Sequence, residues 1–299
     1  MTKMPTRQEQ RLIRAAVEIG GDAPADQDKA FLARQLVQTT LPHADPGDVP
    51  VWSRKNGNIT LTIQQGYKAG GEAVGHPYGT IPRLLLYWMT TEAIRSKTPR
   101  LVLGDSLASF MDELGLDSRR AGPRSDRVRL EQQMRRLFAA RISFEANIEQ
   151  GEAVAEVTEY MPIARRTVFW WNHRDPGQRT LWESYVELDA EFFEAITTNP
   201  VPIDLRALRA IKRSPLALDL YSLLTYQAYR AVKLGRGTFM SWRQLQTALG
   251  TSYADHADLR KAIKATLVKI EAVYPGLAIG DREGGIEVLP ESLPAIASR

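Results

Sequence analysis

Two stretches of this chain, "DSLASFMDELG" at residues 105–115 and "SWRQLQTALG" at residues 241–250, share one skeleton. Each has a capping residue, apolar residues on a single helical face and a closing glycine. In the first, Leu107, Phe110, Met111 and Leu114 recur at helical spacing before Gly115. In the second, Trp242, Leu245 and Leu249 do so before Gly250, and Ser241 with Gln244 fits a capping box. Their flanks match as well. Upstream, "TIPRLLLYWMTTEAI" has Pro82 in its first turn and is apolar nearly all round, which predicts a buried helix. Its counterpart "SPLALDLYSLLTYQAYR" has Ser214 as N-cap, Pro215 in the first turn, and Leu220, Leu223 and Leu224 on one face. Downstream, Leu130, Met134, Leu137 and Phe138 mark the inner face of one longer helix, and Leu259, Ile263, Leu267 and Ile270 that of the other. Both helices run into strand-like residues, 142–148 before Gly151 and 277–279 before "REGGIEVL". Recurrence of the whole order at a shift of about 135 residues predicts a duplicated unit.

Helix, short helix, turn, longer helix and hairpin is the order of a winged helix-turn-helix. The expected fold class is α+β, with two tandem winged helix-turn-helix domains. The first carries an enlarged β appendage, "RRTVFWWNH" and "RTLWESYVEL" around the turn-forming "RDPGQ". Residues 76–200 are expected to form the first domain and 201–299 the second, behind an N-terminal extension over 1–75. In that extension helices are expected over 8–19 and 27–41. "PVWSRKNGNITLTIQQGY" reads as a hairpin turning at Asn56-Gly57, and residues 70–79 as a connector. "PVPIDLRALRAIKRS", residues 200–214, is expected to begin as a proline-stiffened linker between the copies.

Composition narrows the classes. A chain 43% hydrophobic with six tryptophans fits a globular protein. No apolar run approaches the roughly 20 residues of a membrane helix, and the first residues lack the hydrophobic region of a signal peptide. Without cysteine, disulfides and thiolate metal sites are excluded, so the cytoplasm is the expected compartment. The net charge of +4 decides little, whereas its distribution is informative. Arg119, Arg120, Arg124, Arg127, Arg129, Arg135, Arg136 and Arg141 crowd one segment, opposed there by Asp126 and Glu131. A second concentration is Arg260, Lys261, Lys264 and Lys269.

With Leu130 and Met134 turned inward, steps of about 100° put Arg129, Gln132 and Arg136 outward, with Arg135 nearby. Ser125 at the helix start is a candidate phosphate contact. In the second copy Lys261 and Lys264 face outward, Arg260 flanks them, and Ser252 and Tyr253 lie in the preceding turn. Arginine can read guanine edges and glutamine adenine. The candidate DNA-binding set is therefore Arg260, Lys261, Lys264, Tyr253, Arg124, Arg127, Arg129, Gln132, Arg135 and Arg136. Either cluster alone reads more readily as a solvated face; their correspondence in a repeated unit favours nucleic acid.

Enzyme readings lack a signature. There is no Walker-type phosphate loop. His43, His76, His173 and His256 show no metal-ligand spacing, and "WWNHRD" offers one histidine where a nicking enzyme needs a pair and a nucleophilic tyrosine. No catalytic activity, cofactor or metal is expected. Phe169, Trp170 and Trp171 fit a strand core or an interface better than a base-stacking platform.

Three segments resemble the plasmid RepA-type replication initiators. They are "YGTIPRLLLYWMTTEAIRSKTPRLVLGDSLASFMDELGL" (78–116), "ELDAEFFEAI" (187–196) and "NPVPIDLRALRAIKRSPLALDLYSLLTYQAYR" (199–230). The resemblance runs over most of residues 76–275. It implies binding to direct repeats (iterons) in the plasmid's own origin, melting of an adjacent AT-rich region, and engagement of host replication proteins including the replicative helicase. It also implies a homodimer that represses its own gene and a monomer that initiates. In such proteins the C-terminal winged helix is the main major-groove reader, which carries over to Arg260, Lys261 and Lys264; Arg127, Arg129, Arg135 and Arg136 come second. One departure stands out: here the first copy is the more basic. The alternatives are a winged-helix transcriptional repressor without initiation activity, a nicking enzyme, and a module whose basic helices contact an acidic protein.

Overall fold

The computed structural model describes residues 5–150, 153–170, 178, 183–249, 253, 255–280 and 282–296. The chain opens with α1 (Arg7–Gly21), a single 3-10 turn (Asp26–Asp28), β1 (Lys29–Leu32) and α2 (Arg34–Gln38). Strands β2 (Val51–Asn56), β3 (Ile59–Gln64), β4 (Gly66–Tyr67) and β5 (Ala73–Gly75) lead into α3 (Thr80–Ser96), β6 (Arg100–Val102), α4 (Leu107–Glu113) and α5 (Asp126–Ala139). Then come β7 (Arg141–Gln150), β8 (Ala153–Pro162), β9 (Ala164–Val168), β10 (Tyr185–Leu188) and α6 (Ala190–Thr197). The last stretch holds β11 (Val201–Asp204), α7 (Leu205–Ile211), α8 (Pro215–Leu234), β12 (Thr238–Ser241), α9 (Trp242–Leu249), α10 (His256–Val273), β13 (Ile279–Gly280) and β14 (Gly285–Val288). The mixture is α+β, as expected. No helix among the described residues is long and apolar enough to cross a membrane.

Two compact units emerge: Ala44–Pro200, and Met1–His43 together with Val201–Arg299. A boundary falls after residue 200, but the extension expected over 1–75 is not a unit of its own. Its first part folds with the C-terminal third because β1 pairs antiparallel with β11, Lys29 opposite Asp204 through to Leu32 opposite Val201. Helix α1 packs on α7 and α10. The helix expected over 27–41 is therefore broken by a strand, and the expected linker over 200–214 is strand β11 and helix α7. Asp204 closes this corner. Its carboxylate accepts the Arg206 backbone N–H at 2.8 Å and binds the Arg206 guanidinium at 2.8 Å, both side chains buried. Arg206 also donates to the Asp22 carbonyl at 3.1 Å, tying down the end of α1.

Each unit contains the duplicated order. In one, α3, β6, α4 and α5 are followed by a sheet in the order β6-β10-β9; in the other, α8, β12, α9 and α10 by β12-β14-β13. The strand before the short helix pairs with the last strand, which pairs with the middle one. That equivalence corrects the sequence reading. Residues 142–148 lie in β7, whose ten-residue pairing with β8 is an insertion joined through β3 to β2. The segments expected to be an appendage, β9 and β10, are the counterparts of β13 and β14. Backbone pairing with β6 decides this, and sequence order does not display it.

The local signals are mostly realised. Ser106, Ser125 and Ser214 cap α4, α5 and α8 by accepting the N–H of Ser109, Val128 and Ala217. Ser241 and Gln244 form their reciprocal box at 3.2 and 2.8 Å. Gly115 ends α4 at φ 70, which a side chain would strain; Gly250 lies outside the described residues. Helix α3 is buried along most of its length, with Trp88 edge-on to Phe110 at 5.0 Å. Asn56 pairs with Ile59, so the β2–β3 turn is Gly57 and Asn58, one residue beyond the expected pair. The connector over 70–79 contains the small β4–β5 pairing.

Candidate nucleic-acid interface

Helix α5 is fixed by its apolar face: Leu130, Met134 and Leu137 are buried against the core. Burying that face turns Arg129, Gln132 and Arg135 outward, all three exposed. Arg124 is exposed ahead of the helix, while Arg127 is half-buried and engaged. Arg129 reaches back to Asp126 at 3.3 Å, an exposed contact of small energy. Arg119, Arg120 and Arg141 are also exposed, Arg120 lying 3.4 Å from Asp117.

Two residues assigned to this face are turned to structural work. Arg136 is 13% exposed. Its guanidinium pairs with Asp45 at 3.0 Å, donates to the His76 carbonyl at 3.2 Å and covers the Tyr78 ring at 5.1 Å. Azimuth alone pointed it outward, but the segment from Asp45 to Tyr78 lies over the end of α5. Ser125 is buried, and its hydroxyl accepts the Val128 N–H at 3.4 Å, so it is withdrawn from any phosphate.

Helix α10 repeats the arrangement. Leu259, Ile263 and Ile270 are buried, and Arg260, Lys261 and Lys264 are exposed. Among the described residues no carboxylate pairs with these three cations. Tyr253 is 39% exposed just before the helix, its carbonyl accepting from Gln246 Nε2 at 3.3 Å. Lys269 is half-buried, and Ser252 lies outside the described residues. Asp255 caps α10 by accepting the Ala257 N–H at 2.8 Å.

Further basic and aromatic groups sit on the two equivalent strand pairs. Arg165 on β9 is exposed and lies 2.8 Å from Glu187. Arg282, between β13 and β14, covers the Phe239 ring at 4.3 Å and meets Glu287 at 3.1 Å. Phe169 packs on Phe138 with ring centroids 6.1 Å apart. Trp170 is 48% exposed, so it is not core, and its backbone N–H donates to Ser184 Oγ at 2.8 Å. Trp171 and His173 lie outside the described residues. Arg165 is absent from the sequence candidates because sequence order assigns the first copy's closing strands to the wrong hairpin.

His76 and His43 take structural partners. His76 is buried with Nε2 2.7 Å from the Val49 carbonyl, and His43 Nε2 lies 2.7 Å from the Asp219 carboxylate. Among the described residues no group of three or more His, Cys, Asp or Glu is placed to hold a metal ion.

Residues 76–244, more than half of the chain, match the family described as plasmid encoded RepA protein. The match begins ahead of α3 and ends within α9. Two solved structures are similar. A crystal structure of RctB domains 2-3 is 8% identical, covering 85% of this chain and 94% of that one at a TM-score of 0.45. A selenomethionine form of domains 2 and 3 of RctB is 10% identical, covering 86% and 97% at a TM-score of 0.49. No curated relative matches the chain.

Proposed function

The chain belongs to the plasmid-encoded RepA protein family, and we propose that it is a plasmid replication initiator that binds direct repeats in its own origin. One observation carries the reading: helices α5 and α10, at equivalent places in a repeated element order, each turn a basic face to solvent. In this reading each repeat is a winged helix-turn-helix. Helices α5 and α10 enter major grooves, and the β9–β10 and β13–β14 pairs act as wings against the backbone.

The exposed side chains support a division of labour. Arg260, Lys261 and Lys264 lack carboxylate partners among the described residues, so α10 is the principal reader. On α5, Arg129 is shared with Asp126 and Arg136 with Asp45, which leaves Arg135 and Gln132 as the freer pair. Tethering two readers on one chain makes the second contact intramolecular and raises affinity without new groups. The protein thus works in the cytoplasm, by binding rather than catalysis, without a cofactor or metal. It opens the neighbouring AT-rich DNA, engages the replicative helicase and other host replication proteins, and represses its own gene as a homodimer.

Footprinting over the DNA flanking the gene tests this directly. Evenly spaced protected repeats are expected, each spanning two successive major grooves. Protection that follows no sequence pattern overturns the reading. Replication of an origin plasmid in the absence of the protein reduces it to a repressor, and relaxed circles formed from supercoiled origin DNA with divalent metal reveal a nicking enzyme.

A further inference from the structure

The last two turns of α8 expose three large apolar side chains: Tyr229 at 61%, Val232 at 49% and Leu234 at 50%. Tyr229 and Val232, three residues apart, share one helical face and form an apolar patch, while Leu234 is exposed on the other side of the helix end. Between and beside them stand Arg230, Lys233 and Arg236, all exposed. The sequence contains no aspartate or glutamate between Asp219 and Asp255. Arg230 contacts the Gln227 side chain at 3.4 Å and covers the Tyr226 ring at 5.9 Å; Lys233 covers the Tyr229 ring at 5.9 Å. Among the described residues none of the three cations meets a carboxylate. Glu287, which lies against Gly237, is occupied by Arg282 at 3.1 Å.

Strand register places this patch away from the candidate wing. Strand β12 starts at Thr238, opposite Val288, and ends at Ser241, opposite Gly285 beside the β13–β14 turn. Helix α8 therefore finishes at the end of the sheet remote from that turn. Its exposed face is available whether or not the turn and α10 are occupied.

We propose that this end of α8 docks an acidic amphipathic helix of a partner protein. The apolar side chains match the partner's apolar stripe, and the cations match flanking carboxylates. Nucleic acid fits less well, because Val232 and Leu234 are aliphatic and the patch's one exposed ring, Tyr229, is already covered by Lys233 at 5.9 Å. The inference is independent of the DNA-binding assignment, since it uses neither α5 nor α10.

The test uses the full-length protein and a fluorescein-labelled 20-residue helical peptide of glutamate and leucine, patterned with one apolar stripe. Anisotropy is followed for the native chain and for Tyr229→Ser/Val232→Ser, Arg230→Glu/Lys233→Glu and Lys261→Glu/Lys264→Glu. The expected result is saturable binding weakened at least tenfold by each of the first two pairs and unchanged by the third. Circular dichroism melting curves that coincide with the native one show that the variants are folded. No binding, equal binding by all variants, or losses confined to the Lys261/Lys264 pair overturns the proposal. Losses of the same pattern with a labelled oligo-dT probe but not with the peptide assign the patch to single-stranded nucleic acid instead. Concentration-dependent self-association abolished by Tyr229→Ser/Val232→Ser, without peptide binding, assigns it to a second copy of the chain.

Discussion

Arg136 and Asp45 stand 3.0 Å apart, joining the last turn of α5 to the segment that precedes β2. The same guanidinium serves the His76 carbonyl at 3.2 Å, and a Cβ added at Gly75 would lie 3.0 Å from its central carbon. Arg136→Ala is therefore expected to lower unfolding free energy by about 1–3 kcal/mol, read from urea titration. Arg136→Lys recovers part of it, because an ammonium cannot reproduce the fork that serves carboxylate and carbonyl together. An unchanged urea midpoint with lost DNA binding would return Arg136 to the DNA-contacting set.

Charge reversal separates the two basic helices. Lys261→Glu/Lys264→Glu is expected to weaken binding to an origin repeat by roughly 10–100-fold and to make the salt dependence shallower by about two ions. Arg129→Glu/Arg135→Glu is expected to act in the same direction with a smaller effect, since Arg129 is already shared with Asp126. Titrations at several salt concentrations give both quantities. Native affinity in both double variants would remove the assignment.

The Asp204–Arg206 pair is buried on both sides. Removing one partner strands the other charge, so Asp204→Ala is expected to cost about 3–5 kcal/mol in chemical denaturation. The hydrogen bond and charge of Asp204 hold the Arg206 guanidinium above its ordinary range. A raised folded-state value stabilises fully below the unfolded one and is lost only as pH climbs past the folded one, in strongly alkaline solution. Stability measured between about pH 6 and pH 10 should therefore contain no step from Arg206. A titration there that vanishes in Arg206→Met would contradict this.

Gly285 begins β14 where the strand crosses Met240. A Cβ built there would strike the Met240 carbonyl and approach the Phe239 ring to 2.8 Å. Gly285→Ala is expected to cost about 2–4 kcal/mol by prying β14 from β12. The neighbouring Gly284→Ala meets the Phe239 ring only at an ordinary 4.0 Å but has a positive φ of 89, so its expected cost is smaller. Thermal melts of the two variants rank them, and the reverse order would refute the steric account.

Much of this was legible in the sequence. Helices α3, α4, α5, α8, α9 and α10 announced themselves through periodicity, and α8 and α9 also through the caps at Ser214 and Ser241, because those signals are local. Strand β1 was not legible: its four residues, "KAFL", owe their extended form to a partner beginning at Val201. The exchanged places of β7–β8 and β9–β10 have the same origin, since only pairing with β6 distinguishes the repeated sheet from the insertion. Within the site, the helical wheel placed Arg129, Gln132, Arg135, Arg260, Lys261 and Lys264 correctly on exposed faces. It failed at Arg136, where azimuth says nothing about which distant segment lies overhead.

The pairing of β1 with β11 also fixes a timetable on the ribosome. The unit over Ala44–Pro200 is fully synthesised while the first 43 residues still await their sheet partner, and that partner's own domain is completed only with the final residues. A message cut short after residue 200 would release the Ala44–Pro200 unit with α5 and an orphaned N-terminal arm, lacking α10 and its basic face.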